Sequence, residues 1–315
     1  MKQNANKILT QSSQKLVLVL GMMGFISTVN AAELSDPSTL LSARAQARGT
    51  ATSASALYTD SLFQNPASSA FTSKYAVSVG YLGWGDSIAA SIVDTQSGPV
   101  GGGIYYVRRD LTTSIPTATG LGDFSRLEEH MGFGLMGKLG DKLGLGSNVR
   151  YTYRKSVPSA DPSVPTVAGG NGWNFDLGAR YIISSQLTVG VVAQNLLKDT
   201  LGVYPKRISA ALELLPMANM AFSAQVFKID TLKLAQGFTV PDATQKVGWS
   251  VGGEYVTPIS LAIRGGYVAN PTWSQKMATF GLGYSAPDFL IDYAYQKGLG
   301  TTQDNVHSVT VTGFF

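Results

Sequence analysis

From Lys74 to the last residue, one pattern keeps returning: a large apolar residue, then a small or polar one. Tyr75, Val77, Val79 and Tyr81 alternate with Ala76, Ser78 and Gly80. Trp173, Phe175, Leu177, Ala179 and Tyr181 alternate with Asn174, Asp176, Gly178 and Arg180, and Phe289, Ile291, Tyr293 and Tyr295 with Leu290, Asp292, Ala294 and Gln296. A period of two is the signature of a β-strand with two unlike faces. The large residues hold one face of nearly every run, while Gly, Ala, Ser and charges hold the other. Such a second face would pack poorly as the core of a soluble sandwich. It suits a strand whose apolar side meets lipid and whose other side meets a lumen.

Fourteen such runs are expected, near 74–83, 86–95, 100–109, 128–139, 142–155, 172–183, 186–196, 206–215, 219–229, 246–256, 259–269, 275–285, 288–296 and 306–315. Each is about as long as a tilted strand needs to cross the hydrocarbon. The connections alternate in length. Gly140-Asp141, Ser184-Ser185, Thr257-Pro258 and Ala286-Pro287 are tight, whereas Asp110–Leu127, Ser156–Asn171 and Asp230–Gln245 are long. Short turns on one side and long loops on the other are what outer-membrane barrels show. Trp84-Gly85 is the exception, short where a loop is expected: either a tight hairpin or a sign that the first two strands are miscounted. Aromatic residues near strand ends, among them Tyr81, Trp173, Tyr255, Tyr267 and Tyr295, suit interfacial girdles. The predicted fold is all-β: a transmembrane antiparallel β-barrel of about 14 strands over residues 73–315.

The chain before the barrel divides in two. Lys2, Lys7 and Lys15 precede an apolar run, Leu16 to Ile26, and Val29-Asn30-Ala31 offers small residues for cleavage. Residues 1–31 therefore read as a secretory signal peptide. Residues 32–72 are small, polar and not strand-like, and predict an N-terminal plug folded into the lumen. Asp36 or Ser38 is placed to cap a short helix running to Ala47, with Gly49 to stop it. Leu40, Leu41, Leu62, Phe63 and Phe71 give the plug something to bury.

Composition agrees with export to a membrane. Charged residues make up 14%, Gly is abundant at 35 and Cys is absent, so neither disulfides nor thiol chemistry are available. The formal charge of +4 includes the leader lysines and gives no reason to expect a nucleic-acid partner. The two histidines, His130 and His307, lie on distant strands with no nucleophile motif nearby, and neither metal-ligand spacing nor a phosphate loop is present. No catalytic residue, metal or cofactor is expected, and the chain does not read as an enzyme.

Several groups remain as candidates. Arg150, Asp176, Arg180, Glu213, Glu254, Arg264 and Asp292 fall in the lumen phase. They read either as braces between wall and plug or as gates on a permeation path. Gly101-Gly102-Gly103, after Pro99, reads either as a smooth lumen face beside the plug or as a kink that opens the third strand. The last strand, 305–315, ends on Phe314 and Phe315 and looks like the assembly signal of bacterial outer-membrane barrels.

The stretch SARAQARGTATSASALYTDSLFQNPASSA resembles the N-terminal region of the FadL/TodX fatty-acid-transporter superfamily. Its Asn65-Pro66-Ala67 matches the motif that closes the plug, or hatch, in that superfamily. VAQNL at 192–196, YPKRISAAL at 204–212, GGEYVTPISLAIRGGY at 252–267 and FGLGYSAPDFLIDYAY at 280–295 resemble its PorV-type branch. The resemblance implies a plugged barrel in the Gram-negative outer membrane, inserted by the barrel assembly machinery and passing hydrophobic small molecules such as long-chain fatty acids. It also implies a lateral opening at a third-strand kink, here Gly101–Gly103. The PorV-type branch implies a different task, a scaffold or shuttle for secreted or envelope proteins.

Overall fold

The computed structural model describes residues 41–83, 86–117, 120–157, 169–197, 206–229, 247–271, 275–299 and 305–315. The expected leader, residues 32–40 and the Trp84-Gly85 connection lie outside the described residues. Fourteen antiparallel strands form a closed barrel, each paired with its neighbours in sequence. They are β1 Tyr75–Leu82, β2 Ser87–Asp94, β3 Val100–Thr117, β4 Gly120–Leu139, β5 Leu143–Val157, β6 Gly170–Ile182 and β7 Leu187–Gln194. The second half comprises β8 Arg207–Met217, β9 Met220–Ile229, β10 Val247–Val256, β11 Leu261–Asn270, β12 Gln275–Ser285, β13 Phe289–Gly298 and β14 Val306–Phe314. β14 closes on β1 from Ala76 opposite Phe314 to Leu82 opposite Ser308.

The alternation sets the two faces. Val79, Ile104, Phe133, Trp173, Phe222 and Phe280 point outward and are exposed, while Ser78, Asn148, Ser223, Ser250, Thr279 and Ser308 point inward and are buried. An outward apolar band with every strand edge paired is how a sheet crosses lipid, where an unpaired backbone group finds no water. Among the described residues, no helix is long and apolar enough to cross.

Two expectations need correction or sharpening. The long loop expected over Asp110–Leu127 is largely strand, with β3 and β4 running on as a hairpin until Thr117 faces Gly120. The stretch is rich in Thr, Ser and Gly, and its large apolar residues, Leu111, Ile115, Leu121, Phe124 and Leu127, do not alternate cleanly. Strand pairing beyond the membrane does not need clean alternation. At the first connection, Leu82 faces Ser87, so β1 and β2 form the tight hairpin alternative.

Residues 41–72 run across the inside of the ring. Helix α1, Ala43–Ala47, is capped by Ser42, whose Oγ accepts the Ala45 N–H at 3.2 Å. The described helix thus starts at Ser42; Asp36 and Ser38 lie outside the described residues. Gly49 follows with φ +61°, where a side chain would be strained. Two 3-10 helices, Tyr58–Leu62 and Pro66–Phe71, complete the segment. α1 packs on β11 to β14, the first 3-10 helix on β1 to β4 and the second on β3 to β6.

Candidate functional site

The inner segment forms a floor fastened around its perimeter. The Gly49 N–H donates to Thr279 Oγ1 (3.0 Å), and that hydroxyl donates to the Ala47 carbonyl (2.9 Å). The Ser53 N–H donates to Gln225 Oε1 (3.1 Å), Gln194 Nε2 to the Phe63 carbonyl (3.0 Å) and Asn148 Nδ2 to the Leu62 carbonyl (3.2 Å). The wall's side chains thereby satisfy backbone groups that the segment's irregular path leaves without partners.

Asn65, Pro66 and Ala67 sit at the tightest part of this floor. Asn65 is fully buried; its Nδ2 donates to the carbonyls of Ser53 (2.7 Å) and Ala179 (3.1 Å), and its Oδ1 accepts the Ala67 N–H (3.1 Å). Pro66 begins the 3-10 helix where a missing N–H costs nothing. Glycines on the wall make room: a Cβ at Gly146 would stand 2.5 Å from the Ala67 nitrogen.

The strand-3 glycines follow the same logic, and of their two readings the strand pairing favours the smooth face beside the inner segment. Gly102 and Gly103 are paired to β2 as well as to β4, and Gly101 to β4, without a register shift. No gap opens in the wall there. A Cβ at Gly103 would lie 3.1 Å from Leu62 Cδ1 and one at Gly134 2.6 Å from Leu62 Cδ2, so the two glycines form a notch for Leu62.

The lumen-phase charges fall into two groups. Near the short turns, Glu254 receives Arg44 (2.8 Å) and Arg264, and Arg264 also reaches Asp292 at 2.6 Å. Glu213 pairs with Arg48 at 2.9 Å. Arg180 donates to the Ser68 carbonyl at 2.8 Å. Arg44, Arg48 and Ser68 belong to the inner segment, so these groups bind floor to wall. Asp176 and Arg150 lie higher. Asp176 accepts the Asn195 N–H (2.8 Å) and Asn148 Nδ2 (3.2 Å), while Arg150 donates to Asn195 Oδ1.

Above the floor the inner wall has two unlike sides. On β3 to β6, registry stacks Arg109 beside Glu128 and Glu128 beside Arg154, then Val107, His130 and Thr152, then Tyr105, Gly132, Arg150 and Asn174. Arg154 donates to Glu128 at 3.0 Å, and His130 Nδ1 lies 3.2 Å from Thr152 Oγ1. On β9 to β14 the inward residues include one buried apolar cluster, Phe227, Ile229, Val268, Met277 and Val306, set among buried Ser250, Asn270 and Gln296, with the Arg207 guanidinium 4.2 Å from the Phe227 ring centre. Sequence reasoning missed Arg109, Glu128, Arg154 and this cluster. Extending the lumen phase of Gly132 and Gly134 back along β4 leads to His130 and Glu128, but the expected loop hid the signal.

Between floor and seam lies a cavity of about 10 Å³, room for about one water, lined by Ser42, Thr59, Asp60, Ser78, Ser91 and Thr310 among others. Burial pushes the Asp60 carboxyl up to about 6, opposed by the Ser42 hydrogen bond and the Arg44 charge. Phe314 and Phe315 part company: Phe314 stacks on Tyr58 of the floor (4.7 Å between centroids), whereas Phe315 lies outside against Tyr75 at 5.9 Å. Among the described residues, no group of three or more His, Cys, Asp or Glu is placed to hold a metal.

No protein-family model matches the chain, and no curated protein sequence does. Solved structures do. A Pseudomonas aeruginosa FadL homologue superposes with TM-score 0.63 at 15% identity over 87% of this chain and 98% of that one. The Pseudomonas putida toluene transporter TodX gives TM-score 0.62 at 14% identity over 87% and 96%. This chain has the FadL/TodX fold. The Ralstonia pickettii toluene transporter TbuX is similar to the same extent, with TM-score 0.60 at 13% identity over 87% and 97%. At such identities the likeness of this FadL-type barrel to them is a likeness of fold.

Proposed function

We propose that the chain is an outer-membrane channel of a Gram-negative bacterium that passes hydrophobic small molecules around a fixed plug formed by residues 41–72. The observation that carries this reading is the apolar cluster of Phe227, Ile229, Val268, Met277 and Val306 on the inner wall. A pore for water-soluble solutes lines its lumen with polar groups; five large apolar side chains facing inward favour a cargo that leaves water. The FadL and toluene-transporter structures with this fold support the same class of cargo. The plug-to-wall bonds support a passive route that leaves the floor in place.

The test is uptake of toluene and of a long-chain fatty acid by cells expressing the chain. Replacing Phe227 and Met277 with Gln should lower uptake about tenfold, equivalent to roughly 1.4 kcal/mol of lost apolar contact. Unchanged uptake by a folded double variant would overturn the role of this cluster. A second reading, a PorV-like scaffold for secreted or envelope proteins, draws on the β3–β4 hairpin, whose 18 and 20 residues exceed a membrane crossing. Recovery of one defined envelope protein with the wild-type barrel, lost on trimming that hairpin, would favour it.

A further inference from the structure

We infer that the outward rim of β8 to β14, at the end of the barrel away from the short turns, is a docking face for an anionic, phosphate-bearing lipid of the outer leaflet. The inference rests on the outer-membrane reading above but not on the cargo. Through most of the wall the outward face is apolar and the inward face small or polar. Along this rim the two exchange character on β9, β12 and β14. Phe227 and Ile229 face in and Lys228 between them faces out; Met277 faces in beside outward Lys276, and Val306 faces in beside outward His307. A lysine on the lipid side is costly at the middle of the membrane and tolerated near its interface. The exchange therefore marks the depth at which the outside of the barrel meets headgroups.

The charges are sorted by face as well as by height. Among the described residues from β5 to β14, the arginines lie in the lumen phase, whereas Lys155, Lys206, Lys228, Lys276 and Lys297 are exposed on the outside at this end. The described carboxylates of the same strands face the lumen or lie at the short turns. β3 and β4 differ, since there Arg108 has Asp110 at 3.6 Å and Glu129 opposite it. Registry draws the outward lysines together. Lys228 faces Ile208, which places Lys206 one diagonal step away. Lys297 faces Ala278, a diagonal step from Lys276, and His307 faces Tyr295, a diagonal step from Lys297. Such steps are about 7–8 Å, near enough for two long side chains to share one phosphate. His307 is held in place, with Nδ1 2.7 Å from Tyr293 Oη and its ring 5.0 Å from that of Tyr295.

What lies beneath the lysines decides the kind of partner. On the same outward face, a step nearer the short turns, Ile208, Val226, Trp249 and Phe280 are exposed. A partner that is anionic at one level and hydrocarbon at the next is an amphiphile. Lysine stems run along apolar surface while their ammonium groups reach outward to phosphate, and tryptophan suits the boundary between the two levels. An acidic protein would meet the lysines but leave the apolar band beneath them uncovered.

The test uses the whole barrel in phosphatidylcholine nanodiscs that carry a trace of pyrene-labelled lipid A, a phosphorylated glycolipid, with EDTA to remove bridging cations. Energy transfer from tryptophan to pyrene, competed by unlabelled lipid A, reads the affinity. Lys228→Gln with Lys297→Gln should weaken it about 25-fold at low salt, about fivefold for each lysine near an anionic surface. Lys138→Gln with Lys142→Gln removes the same charge from a short turn, well beyond a screening length of about 10 Å, and should leave it unchanged. Equal loss in the two double variants would overturn the docking face, as would dephosphorylated lipid A binding as tightly as the phosphorylated form. Displacement by inorganic phosphate at matched ionic strength would assign the lysines to free phosphate and overturn the lipid. Protection of Lys228 and Lys297 from acetylation by an acidic envelope protein, and not by lipid A, would assign the face to a protein. Quenching of tryptophan by brominated phosphatidylcholine separates the remaining failures. Quenching without a preference for lipid A would refute the face and leave the outer-membrane reading standing; no quenching would refute both.

Discussion

At Gly146 a methyl group would meet backbone, 2.5 Å from the Ala67 nitrogen and the Pro66 carbonyl carbon. At Gly134 it would meet the end of a side chain, 2.6 Å from Leu62 Cδ2. The difference decides which change the molecule absorbs, since a leucine tip can turn and a fastened backbone cannot. Gly146→Ala should cost about 1–3 kcal/mol by overpacking and expose the floor to protease. Gly134→Ala should cost less and be rescued by Leu62→Ala, measured as the temperature at which the barrel loses its compact gel mobility. Asn65 is the polar counterpart. Asn65→Ala takes one donor from the Ala179 carbonyl and leaves the Ser53 carbonyl with Ser68 Oγ at 3.3 Å as its remaining side-chain donor, a loss of about 1–3 kcal/mol. Asn65→Asp should do no better, because it keeps the acceptor for Ala67 but loses both donated bonds. A stability scan that ranked Asp with wild type would remove the double donation from the account.

Between elements, the strongest tie is the chain Arg44–Glu254–Arg264–Asp292, which joins α1 to β10, β11 and β13. Arg264→Met takes the cation from between two largely buried carboxylates and should destabilise by about 3–5 kcal/mol, as removal of one partner from a buried network does. A double-mutant cycle of Arg44→Ala with Glu254→Ala, read by urea unfolding, should show coupling; additivity would mean that α1 is not held through this pair. Strand number, phase and the inward side of Glu254, Arg264 and Asp292 were legible in the sequence, because alternation reports a face directly. Their partners were not. Arg44 and Arg48 lie in a segment without periodicity, and only the tertiary path brings them to Glu254 and Glu213. The glycines at 101–103 carried two readings for a related reason. A run of small residues is equally compatible with a weak wall and with a close neighbour, and Leu62, the neighbour that decides it, lies in another part of the chain.

For the molecule as a whole, ring closure and floor retention meet at the last two residues. Phe315 is 76% exposed on the outside, touching Tyr75 across the β1–β14 seam, with its N–H donating to the Tyr75 carbonyl at 3.0 Å. Phe314 faces in and packs at a tilt against Tyr58 of the floor. The two rings face opposite sides, so substitution should separate an effect on assembly from one on the floor. Phe315→Ala leaves the inside untouched but removes the exposed aromatic from the free strand end. It should slow the appearance of folded barrel in pulse-chase experiments, while the product, once formed, has wild-type thermal stability. Phe314→Ala removes a ring contact worth about 0.5–1.5 kcal/mol from the floor. It should assemble at the normal rate yet show more frequent ion-conducting openings in planar bilayers, because the first 3-10 helix loses its support beside the hydroxyl-lined cavity at Ser78, Ser91 and Thr310. If both variants slowed assembly alike and neither raised conductance, Phe314 would belong to the assembly signal, and the floor would be held by its perimeter bonds alone.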